Sequence, residues 1–328
     1  MAADGRHLAA TGLEADASHR SYVVVACAPY SGSTLLASLL GAHPEIATVS
    51  EVSGTKRVGQ MDVFRCSCQR LMTECPFWQQ VQSRALAAGI NDFALGDFRL
   101  RFGGGGILHH MRTGSLRWTA AENIRDALFQ TFPSHERRLQ ELGQRNRAFA
   151  NIVLDVTNKR VFVDTSKEGM RLRYLSRYLG MDLKAIHLVR DVRGAVSSSM
   201  RRDGRGADVG AAARAWARSN ATLMRHLAAL DARNRTLVRY EDLCRDPEGT
   251  MAALYSFCGV EPSNVPGRSV SNNSQHLLGN RARLRPTTEI RLDERWRSSL
   301  SSDDLAVIAK ASAPVFRSLH PDAVDVLG

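Results

Sequence analysis

The chain has 328 residues, 44% hydrophobic and 6% aromatic, and a net charge of +11 from 44 basic and 33 acidic side chains. That is an ordinary globular composition, enough for one large α/β domain or two small ones. No stretch approaches the roughly 18 apolar residues that cross a bilayer, no secretory leader is visible, and the six cysteines form no small secreted framework, so a cytoplasmic, reducing setting is expected. The basic balance suits an anionic ligand, a nucleic acid or an acidic surface. The basic residues form no single run, however, and no nucleic-acid motif stands out, so neither a nucleic-acid partner nor a membrane span is expected.

Residues 1–20 read as a loose tail, and 21–328 as one domain. "SYVVVACA" (21–28) is apolar without alternation, as a buried parallel strand is. A small-residue loop and the helix "TLLASLLGA" follow, which makes the first βα unit of a doubly wound sheet. Residues 55–150 look different. They hold "CSCQRLMTECPFW", the glycine run 103–106, a helix from Thr119 with Glu122 at capping-box spacing, and a helix from Ser134 toward Thr157. This stretch is expected to be a mostly helical insertion that shapes an acceptor pocket. The βα pattern then resumes: a strand at 160–164, a helix closed by Gly180, a strand at 183–190, a helix from "VRGAVSSSM" and a long helix from Asp208. "TLVRYEDL" (236–243) is a strand and turn, and "DPEGTMAALYSFCGV" a helix with Pro247 near its start. The remainder is loop-rich, then helical from about Ser301. The expected class is α/β: a central parallel sheet flanked by helices, with a helical insertion.

The loop after the first strand is "APYSGSTLL". Unpaired backbone N–H groups at a helix start bind anions, and Gly32 lets the backbone come close to oxygens. Ser31, Ser33 and Thr34 add hydroxyls, but the Gly-Lys-Ser/Thr ending of an ATP loop is missing. A second anion site is expected where Arg190 ends its strand and Ser198 lies about two turns into the next helix. Two anion sites at two βα turns suit a nucleotide with a 5′ chain and a separate 3′-phosphate.

On these residues the sequence resembles the sulfotransferases that use 3′-phosphoadenosine 5′-phosphosulfate (PAPS), with their P-loop-like fold. "PYSGSTLLASLLGAHPEI" is similar to their 5′-phosphosulfate loop, "LVRDVRGAVSSSM" to their 3′-phosphate motif, and "VRYEDLCRDPEGTMAALYSFCGV" to the strand, turn and helix that follow. A weaker echo runs through "LLGNRARLR" and "LDERWR" (277–297). The resemblance implies that Tyr30, Ser31, Gly32, Ser33 and Thr34 bind the 5′ end and that Arg190 and Ser198 bind the 3′-phosphate. It also implies that Arg281 and Arg283 reach over the nucleotide. Glu51 matches a catalytic glutamate and is the candidate base. Tyr30 departs from the pattern, since an arginine or lysine usually stands there; Lys167, in "DTSKEG", is the candidate replacement cation. Sulfonate carries less charge than a phosphoryl group, so no metal is required for transfer. The acceptor is expected to be a small molecule with a hydroxyl or an amine, and a homo-oligomer stays open. The rival readings are a kinase with a degenerate loop, and a nucleotide-binding protein without catalysis.

Cys66, Cys68 and Cys75 form C-x-C-x6-C. A structural zinc site takes four ligands. No fourth is adjacent, and His109 and His110 lie far along the chain, so metal, disulfide and packing thiols stay open, with no metal ligand assigned. His187 is expected to be a core or edge histidine, and Trp296 a core residue rather than an adenine stack.

Overall fold

The computed structural model describes residues 19–52, 63–102, 111, 114–167, 169–203, 208–263, 265–272, 275–279 and 281–321. The expected tail up to residue 18 and the glycine run 103–106 lie outside them.

Five parallel strands form the sheet: β1 (Ser21–Cys27), β2 (Ile46–Ser50), β3 (Val161–Asp164), β4 (Asp182–Val189) and β5 (Arg235–Arg239), in the order β2-β3-β1-β4-β5. Every residue of β1 is buried, which is why it reads as an unbroken apolar run. Its side chains still alternate between two cores. Val23, Val25 and Cys27 meet Leu36, Leu39 and Leu40 of α1 (Ser33–Gly41), whereas Tyr22, Val24 and Ala26 join the core under the insertion. Each such apolar side chain contributes about 1.5–3 kcal/mol on burial. The strands after β1 lie to one side of it and β4 and β5 to the other, so the crevice above the ends of β1 and β4 is the switch point where α/β sheets take ligands.

The insertion contributes α2 (Pro76–Ala87), α3 (Thr119–Gln130) and α4 (Pro133–Thr157). Helix α4 lies so close to α5 (Arg171–Tyr178) that a Cβ on Gly143 would sit 2.2 Å from the Tyr178 carbonyl oxygen. After β4 come α6 (Val192–Asp203) and α7 (Val209–Ala228); after β5, α8 (Tyr240–Arg245) and α9 (Pro247–Cys258), in which Asp246 caps the Gly249 amide. A two-strand ladder, β6 (Ser269–Ser271) with β7 (Thr287–Glu289), then precedes α10 (Trp296–Ser299) and α11 (Ser302–Leu319), which opens on a Ser301–Asp304 capping box. Among the described residues no helix is long and apolar enough to cross a membrane.

The structure adds one strand to those expected and corrects two expectations. Strand β2, "IATVS", is too short, and too soon after His43-Pro44, to stand out in the sequence. The Thr119–Glu122 capping box does not form: Trp118 is the N-cap, and Glu122 turns inward to His226 and the Leu116 amide. Trp296 is not core. It is half-buried between the guanidinium groups of Arg193 and Arg297.

Candidate functional site

The loop after β1 turns on two left-handed residues, Tyr30 (φ 66°) and Gly32 (φ 91°), the second of which is the N-cap of α1. Glycine is required at 32 for a second reason. A Cβ there would come within 2.6 Å of the Tyr240 ring. The ring therefore backs the loop and keeps it in contact with the start of α8. Ser31 Oγ is fully buried and has no hydrogen-bond partner among the described residues, a cost of about 1–3 kcal/mol that an incoming acceptor oxygen would relieve. Ser33 bonds the buried Cys27 thiol, which leaves Thr34 as the half-buried hydroxyl of the turn.

Arg190 leaves the end of β4 and is brought to this loop. Its Nη1 donates to the Tyr30 carbonyl and to Ser198 Oγ, each at 3.2 Å, and its guanidinium lies 4.6 Å from the Tyr240 ring centre. Its own carbonyl accepts from Trp216 Nε1 at 3.1 Å, and the buried Glu241 carboxylate accepts from the next amide, Asp191. Arg190 and Ser198 therefore lie beside each other, as their spacing suggests, and the structure also brings Arg190 onto the Tyr30 carbonyl, which the sequence does not predict. Sequence reasoning misses Asp293. That carboxylate accepts from Arg190 Nη2 at 3.1 Å and from Arg295 at 2.7 Å, and lies 3.4 Å from Arg201, which itself donates to Ser198 at 2.9 Å. The Arg295 hydrogen bond, followed by that of Arg190, holds the Asp293 carboxyl well below the usual carboxylate range despite its partial burial. Three guanidinium groups thus already bind one anion, supplied by the protein itself, and Ser198 accepts from two of them. The available signal was "LDERWR", where an acid stands among arginines.

The other end of the edge carries Glu51 and Lys167, which form an ion pair. A bulge sets it up. The β2–β3 register shifts between Thr48 and Ser50, Ser50 sits at φ 66°, and Thr48 Oγ1 bridges from the Ser50 amide to the Val163 carbonyl. Bulges of this kind re-aim the following side chain, here Glu51. From behind, Gly279 (φ 95°) closes on it so tightly that a Cβ would lie 3.0 Å from Glu51 Cδ. Lys167 follows the turn after β3, which is braced by a buried network. Asp164 accepts from Arg171, from Tyr22 at 2.9 Å and from the Ser166 amide at 2.8 Å. Lys167 is close enough to Cys27, at the end of β1, for its charge to favour that thiolate, although burial outweighs it and pushes the thiol up.

A cavity of about 670 Å³ opens beside Lys167, between Cys27 and Pro29, Ser166, and Thr222 and Leu223 of α7. Ser115, Leu116 and Arg117 form its rim. The rim is anchored by Glu122. Burial would raise this carboxyl, but hydrogen bonds from His226 and the Leu116 amide overcome that and bring it down to about 2. Arg281 and Arg283 do not join the edge as expected. Arg283 is 2% exposed, donates to the carbonyls of Gly279 and Arg65, and lies over the Phe64 ring; Arg281 is exposed at the start of the same turn. His187 is a core residue as expected, 3.1 Å from Asn220 and lowered by burial to about 4.

A family model described as "Sulfotransferase family" matches residues 23–264. No curated protein matches this sequence. Among solved structures, the sulfotransferase domain from the curacin biosynthetic pathway is similar at 17% identity, covering 89% of this chain and 96% of its own, with a TM-score of 0.46. The sulfotransferase domain of the Synechococcus PCC 7002 olefin synthase is similar at 20% identity, covering 89% and 93%, with a TM-score of 0.44. A sulfotransferase from Alicyclobacillus acidocaldarius is similar at 15% identity, covering 92% and 96%, with a TM-score of 0.41.

Proposed function

Since the chain belongs to the sulfotransferase family, we propose that it moves a sulfonate from PAPS to a hydroxyl of a small acceptor and releases adenosine 3′,5′-bisphosphate. The observation that carries this reading is the Arg190 fork, which holds an anion where the turns after β1 and β4 meet. In the proposal the 3′-phosphate takes the place of the Asp293 carboxylate on Arg190 and Arg201, and the Ser198 hydroxyl, now held by those arginines, turns to it. The 5′ end lies on the Ser31–Thr34 turn, where the buried Ser31 hydroxyl and the Gly32 approach fit an oxygen-rich group.

Transfer breaks the sulfur–oxygen bond to the 5′-phosphate and forms one to the acceptor oxygen, whose proton goes to Glu51. Lys167 neutralises charge on the leaving phosphate, the task that the missing loop cation would otherwise have. Because the two pair with each other, the donor's arrival draws Lys167 away from Glu51 and leaves the carboxylate available as base. The acceptor occupies the cavity beside Lys167. Arg218 and Arg225 line it as well as Arg117, which suits an acceptor with an anionic group of its own.

The test is incubation of the full chain with sulfur-labelled PAPS and a broad metabolite pool. A labelled product heavier by one sulfonate is expected. Product formation from ATP alone would replace this reading with a kinase. Binding of the bisphosphate with no turnover on any acceptor would replace it with a non-catalytic nucleotide-binding protein.

A further inference from the structure

The fourth ligand that the C-x-C-x6-C pattern lacks comes from 201 residues beyond Cys75. His276 Nδ1 lies 3.4 Å from Cys75 Sγ and 3.5 Å from Cys66 Sγ, and the sulfurs of Cys68 and Cys75 are 3.6 Å apart. All four ligand atoms fall within 4.8 Å of one another. A tetrahedral zinc ion with ordinary bond lengths sets its sulfurs about 3.8 Å apart and sulfur to nitrogen about 3.6 Å apart. We infer that Cys66, Cys68, Cys75 and His276 hold one zinc ion in a closed Cys3His site.

The surroundings are built for this. Residues 66–70 fold into a tight turn, with the Cys66 amide donating to the Arg70 carbonyl at 2.9 Å, the Gln69 amide to the Cys66 carbonyl at 3.0 Å, and Gln69 left-handed at φ 72°. The turn presents Cys66 and Cys68 together. Cys75 is the N-cap of α2, where the helix start favours a thiolate. Phe77 stacks on the His276 ring at 4.3 Å, with the planes 3° apart, and fixes its orientation. Ser67 Oγ donates to the Gln275 carbonyl and accepts the Leu277 amide, so the histidine's own segment is tied to the cysteine turn on both sides. Three thiolates and an imidazole supply all four tetrahedral positions and select zinc over the hard cations.

The site is structural and separate from the transfer chemistry, yet it bears on it. The segment that carries His276 continues to Leu278, whose amide donates to the Val49 carbonyl at 2.9 Å, and to Gly279, which backs Glu51. The ion therefore clamps the strap behind the candidate base to the cysteine turn.

The experiment uses the full chain produced in zinc-supplemented medium. Elemental analysis is expected to give one zinc per chain, and replacement by cobalt is expected to give a thiolate-to-cobalt charge-transfer band with tetrahedral visible bands. Cys66→Ser, Cys75→Ser and His276→Gln should each lose stoichiometric metal, whereas Cys258→Ala, a buried thiol outside the cluster, should keep it. Should the ligand variants fail to fold, the wild-type cobalt spectrum and a thiol count before and after metal extraction decide. Folded wild-type protein with no zinc and three freely titrating thiols would overturn the site. So would a Cys68–Cys75 disulfide, or an octahedral cobalt spectrum. Metal content and cobalt spectrum are independent of sulfonate transfer, so the outcome stands whether or not the proposed donor is correct.

Discussion

The two ends of the sheet's ligand edge neutralise their charges in different ways. At the β4 end three arginines surround a carboxylate contributed from far along the chain, Asp293. At the β2–β3 end one lysine faces one glutamate, Glu51, each presented by the turn after its own strand. In the proposed reaction the first arrangement is a grip: it has more positive than negative groups and would exchange one anion for another. The second would be a switch, since separating the pair would yield a cation for the leaving group and a base for the acceptor. A site divided in this way should respond to mutation in two distinguishable manners, in affinity at one end and in rate at the other.

The largest effect is expected from Glu51→Gln. The amide keeps the shape and cannot take a proton, so the turnover rate should fall by a factor on the order of 10²–10⁴, the range that positioned general bases contribute. The dissociation constant for adenosine 3′,5′-bisphosphate should not rise, since the glutamine no longer competes with the phosphate for Lys167. A loss of affinity equal to the loss of rate would mean that Glu51 belongs to the grip and that the two ends are not separate. Arg190→Ala should do the reverse. It removes two charge-assisted donors to the bound anion, at about 1.5–3 kcal/mol each, so calorimetry should show bisphosphate affinity lower by roughly 10²-fold or more. Unchanged affinity would remove the β4 end from the site altogether.

The same division explains what could be read from the chain alone. The site's central pieces each lie within one βα step: the loop 29–34 with the helix it starts, and Arg190 with Ser198 eight residues on. Anion binding by backbone amides and short hydroxyl side chains leaves a compact pattern, and a fully buried parallel strand leaves an apolar run. What could not be read depends on contacts between distant segments. Asp293 meets Arg190 across 103 residues. His276 meets Cys66 across 210, so the cysteines alone left metal, disulfide and packing open. The bulge that aims Glu51 is a register shift between β2 and β3, and register belongs to a strand pair, not to either strand's sequence. Glu122 shows the same limit. Its spacing from Thr119 fits a local cap, but the buried His226 on α7 is a stronger partner for a carboxylate than a helix amide open to water.

The β4 end should also be the more sensitive to acid. His187 lies on β4, bonded to Asn220 of α7, and Trp216 of the same helix holds the Arg190 carbonyl. Burial lowers His187 to about 4, so in the folded protein it stays neutral while the unfolded chain takes up a proton near its ordinary 6.5. The unfolded state then binds more protons throughout that window. Stability is therefore complete above pH 6.5 and declines as pH falls toward 4, by up to about 3 kcal/mol. Burial lowers His43 and His320 in the same direction, so the acid limb has more than one source. Denaturant unfolding followed across this range should show a shallower limb for His187→Gln, which keeps a partner for Asn220. An identical limb in the variant would assign the acid sensitivity to other groups.

The smallest effect expected is a gain. Asp293→Asn takes the negative charge out of the grip without taking away the side chain's shape or one of its oxygens. Arg190 keeps the Tyr30 carbonyl, Ser198 and the Tyr240 ring, so it should stay in place. An incoming 3′-phosphate then no longer has to displace a carboxylate bound by Arg190, Arg201 and Arg295. Part of that displacement cost is already offset, because the freed carboxylate is solvated when it leaves and Arg295 can follow it outward. The net change should be a several-fold rise in bisphosphate affinity, on the order of 1 kcal/mol, most visible at low ionic strength where the exposed charges are least screened. The turnover rate at saturating donor should be unaltered, since nothing at the Glu51 end has changed. Weaker binding in this variant would show that Asp293 positions Arg190 for the phosphate instead of standing in its place, and the grip would then be a four-residue unit that keeps its carboxylate when the nucleotide is bound.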